Sequence, residues 1–221
     1  MVQLSDHGSL LRARGGGAER VTPLELFFDL VYVFAVTQLS HRLLEDLGGR
    51  GALETLLLLV VVWSAWVGPA WITNWFDPDR LPVRLRLVAV MLASLFMSVA
   101  IPDAFGQRGL MFALAYMAIQ VGRTAFVLIA LGGTHQLSRN FQRVLSWYVA
   151  SGALWIIGGL LDGEARYVLW GLALSVDFCG PVAGFWTPSL GRTRTGEWTI
   201  EGGTSLSAVG CSSSLPWASR F

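Results

Sequence analysis

The chain has 221 residues, of which 53% are hydrophobic and 12% aromatic, and its mean hydropathy of +0.54 is high for a water-soluble protein. This composition indicates an integral membrane protein. The net charge of +1, without a basic run that contains aromatic residues, argues against a nucleic-acid partner. The two cysteines, Cys179 and Cys211, are too few for a disulfide framework or a zinc site.

The first 22 residues are polar and include three consecutive glycines, and no apolar core of the signal-peptide type precedes Thr22. We therefore expect residues 1–22 to be a disordered cytoplasmic tail rather than a cleaved signal. Thr22 and Pro23 mark a helix start, because threonine can cap free backbone amides and proline is tolerated at the first helical position.

Apolar runs of near-spanning length predict an all-α fold, a polytopic transmembrane helical bundle of about six spans within residues 23–186. In the sixth run Gly180 and Pro181 follow Asp177, so we expect that helix to be kinked or broken there. Residues 187–203 are then a loop. The six predicted spans cover approximately 23–41, 53–71, 87–101, 110–131, 144–161 and 167–186.

The arginines are distributed unequally between the two sets of predicted loops. Ten lie on the side of the N-terminus, at positions 12, 14, 20, 80, 84, 86, 139, 143, 192 and 194. Four lie on the other side, at positions 42, 50, 108 and 166. Because positive loops stay inside, this bias predicts a cytoplasmic N-terminus in the inner (plasma) membrane.

The first span, PLELFFDLVYVFAVTQLSH, carries polar residues within an apolar run. On a helix, Glu25, Thr37 and His41 fall within about 120° of Asp29, so one face collects most of the polarity. A carboxylate at membrane depth is costly and is therefore paired, protonated or functional. Asp29 is either a proton or cation site on a hydrated path or a structural partner of an arginine. Glu25, in the first turn, is favoured as a partner of the helix dipole.

Arg123, within the fourth span, is the natural counter-charge, since an unpaired guanidinium at mid-span costs at least about 2.5 kcal/mol. Its possible carboxylate partners are Asp29 and Asp177, and an anion or substrate clamp is the functional alternative. Asp177 beside a glycine and a proline is compatible with the discontinuous helices of transporter sites, although a simple kink is favoured. The candidate intramembrane polar network consists of Glu25, Asp29, Thr37, Gln38, His41, Arg123 and Asp177.

Other classes of site lack support in the sequence. The three histidines, His7, His41 and His135, lie on separate segments, so we expect no metal site. No GxSxG motif or nucleophile spacing is present, and we expect neither an enzyme nor a cofactor. The tryptophans at 63, 66, 71 and 75 are favoured as an interfacial aromatic belt over a ligand-stacking surface.

Residues 204–221 are serine-rich and show no helical period, so they are either a disordered tail or the product of a frameshift. With suitable codons, the shifted frame reads HFAERCGLFVIVALGESI, a polar helix entrance followed by a membrane span. We therefore expect the gene to continue in the shifted frame. Sequencing the DNA downstream of residue 203 tests this, and an early stop in that frame would contradict it.

With these motifs in view, the chain resembles the bacterial low temperature requirement A (LtrA) family of multi-spanning membrane proteins. The resemblance rests on ELFFDLVYVFAVTQLSH at 25–41, on NWFDPDRL at 74–81, and on Arg123 and Asp177 in apolar settings. It covers residues 20 to about 203 and implies that 23–186 is the first half of a larger domain. The family name refers to growth in the cold and implies no particular biochemical activity.

These observations predict a transporter-like or permease-like membrane protein with a charged intramembrane network. The expected partners are the lipid bilayer and a small solute or ion. The sequence is also compatible with a homo-oligomer. Two alternatives are a cation-channel-like protein and a non-transporting structural or regulatory membrane protein. The channel alternative rests on the Phe28-Asp29 step, which resembles the Phe-Ser-Asp first helix of a lysosomal potassium channel family.

Overall fold

A computed structural model of the chain describes residues 23–73, 81–131 and 136–187. A short 3-10 helix, Ile101–Asp103, follows the third of six α-helices formed by these residues. The predicted all-α fold is confirmed. The helices are α1 (Pro23–Glu45), α2 (Gly49–Thr73), α3 (Leu81–Ala100), α4 (Gly109–Leu131), α5 (Gln136–Leu160) and α6 (Glu164–Val182).

Four of the helices, α2 to α5, are long and apolar enough to cross a membrane, judged by length and composition. Their candidate spans are Gly49–Gly68, Leu81–Asp103, Gly109–Ala130 and Ser138–Leu160. The chain is thus a multi-pass membrane protein. Helices α1 and α6 are not among these four, and a membrane-spanning position for these two stays a prediction.

The helices start earlier than the apolar runs at two places. Helix α3 begins six residues before its predicted span, at Leu81, and α5 begins at Gln136 rather than at 144. The first two turns of α3 contain arginines at 84 and 86, and those of α5 contain arginines at 139 and 143. Their low hydropathy excludes these turns from a predicted span, although the backbone is helical. Helix α6 runs through Pro181 and ends at Val182, before a turn in which Gly184 and Phe185 have φ of 62° and 46°.

Most helices that are adjacent in sequence pack side by side, but α2 and α3 barely touch, and α1 packs on both of them. Short links make successive helices antiparallel. The centre of the bundle is aromatic, because Phe112, Tyr116, Trp155 and Trp170 are completely buried. The ring of Trp155 lies 5.1 Å from that of Tyr116 and 5.3 Å from that of Trp170. Contacts of this kind join α4, α5 and α6 into one core.

Two glycines let the end of α5 approach its neighbours closely. A Cβ on Gly159 would lie 3.0 Å from the Cα of Leu110, at the start of α4. A Cβ on Gly158 would lie 2.6 Å from Cδ1 of Trp170 on α6. Small residues at helix contacts are a common means of close packing in membranes, and here they set the distance between α4, α5 and α6.

Arg166, in the first turns of α6, is 2% exposed and holds two loops together. Its guanidinium donates to the carbonyls of Gly158, Gly159 and Leu161 at the end of α5. It also donates to the carbonyls of residues 104 and 106 after α3 and to the carboxylate of residue 162. A helix end leaves carbonyls without partners, and this arginine supplies the missing donors. The sequence placed Arg166 in a loop, whereas it is a buried helix residue.

Candidate functional site in the interior of the bundle

The hydroxyl of Tyr116 joins side chains from α2, α4 and α6. Its oxygen lies 3.1 Å from Oγ of Ser64, accepts from Nε2 of Gln120 at 2.9 Å, and donates to Oδ2 of Asp177 at 3.2 Å. The indole of Trp155, on α5, donates to the same carboxylate oxygen at 3.1 Å. We call these five residues the Tyr116 cluster. Four helices therefore contribute side chains to one hydrogen-bonded cluster around a buried hydroxyl.

Two acceptors of the Tyr116 cluster have no donor. Oδ1 of Asp177 and Oε1 of Gln120 are buried and lack a hydrogen-bond partner within the described part of the chain. The serine does not supply one, because Oγ of Ser64 donates to the carbonyl of Val61 at 2.8 Å. The hydroxyl of Ser151, on α5, also lies near Asp177, but it donates to the carbonyl of Tyr148 at 3.3 Å. A buried acceptor without a donor costs about 1–3 kcal/mol. The cluster can therefore accept hydrogen bonds or a proton from a further group.

Arg123, one turn along α4 from the cluster, points toward α5 and α2. Its Nη2 donates to the hydroxyl of Tyr148 at 2.8 Å, and the guanidinium carbon lies 5.4 Å from the centre of that ring. Its Nη1 fills the space that a Cβ on Gly68 would need, because the two atoms would be 1.5 Å apart. The guanidinium is close enough to Asp177 to interact electrostatically. Gly68 is thus required for this position of the arginine.

Arg86 enters the same region from α3. Its Nη2 lies 3.5 Å from the carbonyl of Ile119, and its Nη1 lies 3.4 Å from where a Cβ on Gly122 would be. Its Nε is buried without a hydrogen-bond partner among the described residues. Arg86 also interacts electrostatically with Arg123 and Tyr32. The sequence placed Arg86 in a loop on the side of the N-terminus, but it lies in α3 and its side chain turns inward to α4.

Asp29 lies apart from this interior cluster. It is exposed in a groove of about 480 Å³ between α1 and α2, where Oδ1 accepts from Nε1 of Trp66 at 3.0 Å. Thr37, which also lines the groove, donates to the carbonyl of Val33 in its own helix. Trp63 lines the groove as well, whereas the side chains of positions 71 and 75 are outside the described residues.

The remaining predicted residues of the first span do not join the interior cluster either. His41 is exposed near the end of α1, and Gln38 is half-buried. The side chain of Glu25 lies outside the described residues. Of the seven predicted site residues, the structure therefore brings Asp177 and Arg123 near each other, while Asp29 and Thr37 line the surface groove and His41 lies near the end of α1. Their shared role as one network stays a prediction.

The two carboxylates proposed as partners of Arg123 do not pair with it directly. Within the described residues, no carboxylate oxygen lies within 4.0 Å of its guanidinium nitrogens. The physical reason is that Asp177 already accepts from a tyrosine and a tryptophan, and Arg123 is held by Tyr148. The pair interacts across a gap rather than through an ion pair.

Sequence reasoning missed most of the Tyr116 cluster and also Glu54. Glu54 is 3% exposed and binds Arg42 at 2.6 Å and Arg50 at 3.1 Å, and the hydroxyl of Tyr167 donates to it. This charge cluster joins α1, α2 and α6 at the end of the bundle where α2 begins. The sequence did contain a signal for Glu54, because this acid lies one residue inside the predicted apolar run at 53–71.

Among the described residues, no group of three or more histidines, cysteines or acids could hold a metal ion.

The sequence pattern of the bacterial low temperature requirement A protein (LtrA) family matches residues 20–204. The chain belongs to the LtrA family. The resemblance inferred from the first span is confirmed, and the match ends within one residue of the expected boundary at 203. Residues 205–221 lie outside both the match and the described residues, so a frameshift in this LtrA chain stays a prediction.

One curated relative of this LtrA chain is an uncharacterized protein of Rhizobium meliloti (strain 1021). The two are 37% identical over 198 residues, which is 89% of this chain and 48% of the relative. The chain thus spans about half the length of the curated relative it matches. No solved structure matches the chain.

Proposed function

We propose that the protein is a transport protein of the bacterial inner membrane, with a cytoplasmic N-terminus, in which the Tyr116 cluster is a proton-binding position on the solute path. The observation that carries this proposal is the carboxylate of Asp177. It lies inside the bundle, forms no ion pair among the described residues, and keeps one buried oxygen without a donor. Acids at membrane depth are functional by default.

The hydrogen bonds of the cluster allow the proton to be held at more than one atom. Tyr116 has one hydroxyl proton, and it donates this proton in a hydrogen bond to Oδ2 of Asp177. When Asp177 takes up a proton at Oδ1, the carboxyl group becomes a donor there and can bind a water or solute oxygen. The neighbouring oxygen of Gln120 offers a second acceptor. Binding a proton thus changes the cluster from an acceptor site to a mixed donor and acceptor site.

Protonation of Asp177 also changes the charge that Arg123 experiences. With the carboxylate ionised, the two side chains attract each other across the gap. With the carboxyl group neutral, the guanidinium is left without that attraction and binds an anionic group more strongly. This charge coupling links the proton to a second site on the same path and supports a transport function.

Proton movement into liposomes that contain the purified protein and a trapped pH-sensitive dye tests the proposal. After an imposed pH gradient, we expect wild-type protein to move protons faster than protein-free liposomes. Asp177→Asn keeps the hydrogen-bonding shape but cannot hold the proton, so its rate should fall to the background. Glu164→Gln, an exposed acid in the first turn of the same helix, should keep the wild-type rate.

Two results would contradict the transport proposal. One is a wild-type rate equal to that of protein-free liposomes, and the other is an Asp177→Asn rate equal to that of wild type. Incorporation of each variant is measured by protein recovery in the liposomes, so a loss of rate is not a loss of protein.

A structural or regulatory role is the second candidate, and the cluster around Glu54 favours it. There a buried acid is fully occupied by two arginines and a tyrosine from three helices. Charges used in this way hold helices together without binding a solute. If the Tyr116 cluster works in the same way, Asp177→Asn lowers the free energy of unfolding and no proton flux is seen in any variant.

A further inference from the structure

Arg123 belongs to α4, and the side chain of Arg86, from α3, lies against the same part of that helix. The Nη1 atom of Arg86 approaches the backbone at Gly122, the residue that precedes Arg123. Tyr32 of α1 interacts electrostatically with both guanidinium groups, which places both around one side chain. We call these two residues the arginine pair. Both lie within candidate membrane spans, Leu81–Asp103 and Gly109–Ala130.

The arginine pair uses few of its hydrogen-bond donors. A guanidinium offers five N–H donors. Arg86 has a single bond, at 3.5 Å, and a buried Nε without a partner in the described part of the chain. Arg123 donates to one tyrosine hydroxyl. No described carboxylate lies within 4.0 Å of either side chain.

Arg166 shows how a purely structural arginine is satisfied in the same protein. It donates to five backbone carbonyls and one carboxylate, and each of its three nitrogens has two bonds. The arginine pair lacks such partners although it lies in the same bundle. Two neighbouring like charges at membrane depth also repel each other, which adds to the cost of each. A bound anion would remove both costs.

We infer that Arg86 and Arg123 form a binding site for a small monovalent oxyanion of the carboxylate class, at the part of α4 that carries Arg123. The inference rests on the proposed transport function and deepens it by naming the class of solute. An oxyanion fits because the planar guanidinium fork binds two oxygens at once. A single negative charge fits because the two guanidinium groups carry two positive charges, and the carboxylate of Asp177, which interacts with Arg123, balances one of them.

Equilibrium binding of ¹⁴C-labelled acetate to the purified protein in lipid nanodiscs tests this site. We expect saturable binding to wild type that unlabelled formate displaces. Arg86→Gln and Arg123→Gln should each weaken binding at least about tenfold, the loss expected for one charge-assisted hydrogen bond. Arg84→Gln is the matched control, since Arg84 is exposed two residues away on the same helix, and its affinity should equal that of wild type.

A second variant moves a guanidinium without removing its charge. Gly68→Ala places a methyl group where Nη1 of Arg123 lies, so it should weaken acetate binding by displacing the arginine. If gel filtration shows that an arginine variant does not fold, Gly68→Ala is measured in its place. The inference is overturned if wild type shows no saturable binding, or if the arginine variants and Gly68→Ala bind acetate as wild type does.

The two proposals fail separately in these experiments. Acetate binding without proton flux keeps the anion site and overturns the transport function. Proton flux without acetate binding keeps the transport function and overturns the anion site.

Discussion

Arginine serves three purposes inside this bundle. Arg166 donates to carbonyls that a helix end and a loop leave free, Arg42 neutralises a buried glutamate, and Arg86 and Arg123 keep most of their donors unused. The first two uses stabilise the fold. The third leaves positive charge inside the protein, which is the residue-scale basis of the proposed solute site.

The structural use of arginine predicts a large effect at position 166. Arg166→Lys keeps the charge, but a single ammonium group cannot reach both the end of α5 and the loop after α3. We expect a loss of at least about 3 kcal/mol in the free energy of unfolding, because several buried carbonyls lose their donors. Unfolding by SDS titration in mixed micelles measures it. Arg108→Lys, at an exposed residue with one bond to a carbonyl, should cost under about 1 kcal/mol. Equal losses in the two variants would contradict this assignment.

The sequence identified Asp177 and Arg123 because a charge within an apolar run is conspicuous. It did not identify Tyr116, Ser64 or Trp155, since such residues are common in helices and only the convergence of four helices makes them a site. It also could not assign pairs. Which acid lies near Arg123 depends on the rotation of each helix about its axis, and an apolar run determines its length but not that rotation.

At the scale of the helices, the apolar runs predicted six elements, and residues 23–73, 81–131 and 136–187 form six α-helices. The errors lie at the ends, where arginine-rich first turns are helical without being apolar. The fifth run contains two adjacent glycines, and the sequence alone did not identify what packs against either of them. The neighbour is the start of α4 for Gly159 and Trp170 of α6 for Gly158.

Close packing at the end of α5 predicts the effect of adding one methyl group. Gly159→Ala would press a Cβ against the backbone at Leu110, which cannot rotate away, so we expect a loss of about 1–3 kcal/mol in stability. Gly171→Ala is the matched control, because nothing lies within 4 Å of its Cβ position. It should be neutral or stabilising by up to about 1 kcal/mol, since alanine favours the helix. Thermal unfolding in detergent compares the two, and a stable Gly159→Ala protein would contradict the close contact.

At the scale of the whole molecule, three of the polar regions within the described residues differ in how fully their groups are paired. The Glu54 cluster joins α1, α2 and α6 at one end, Asp29 lies in a groove between α1 and α2, and the Tyr116 cluster lies inside. The first region is saturated with partners, whereas the interior one is not. The proposed function follows from that difference rather than from the number of charges.

The central claim is that water or a solute reaches the Tyr116 cluster from outside the bundle. Labelling of introduced cysteines in membranes by a charged, water-soluble methanethiosulfonate tests it, in a protein whose Cys179 and Cys211 are replaced by serine. Thiolates form in water but not in lipid, so we expect Ser64→Cys, within the cluster, to react. Leu114→Cys, at an exposed apolar position within the candidate span of α4, should face lipid and not react. An unreactive Ser64→Cys in folded protein, or equal labelling at both positions, would contradict a hydrated solute path.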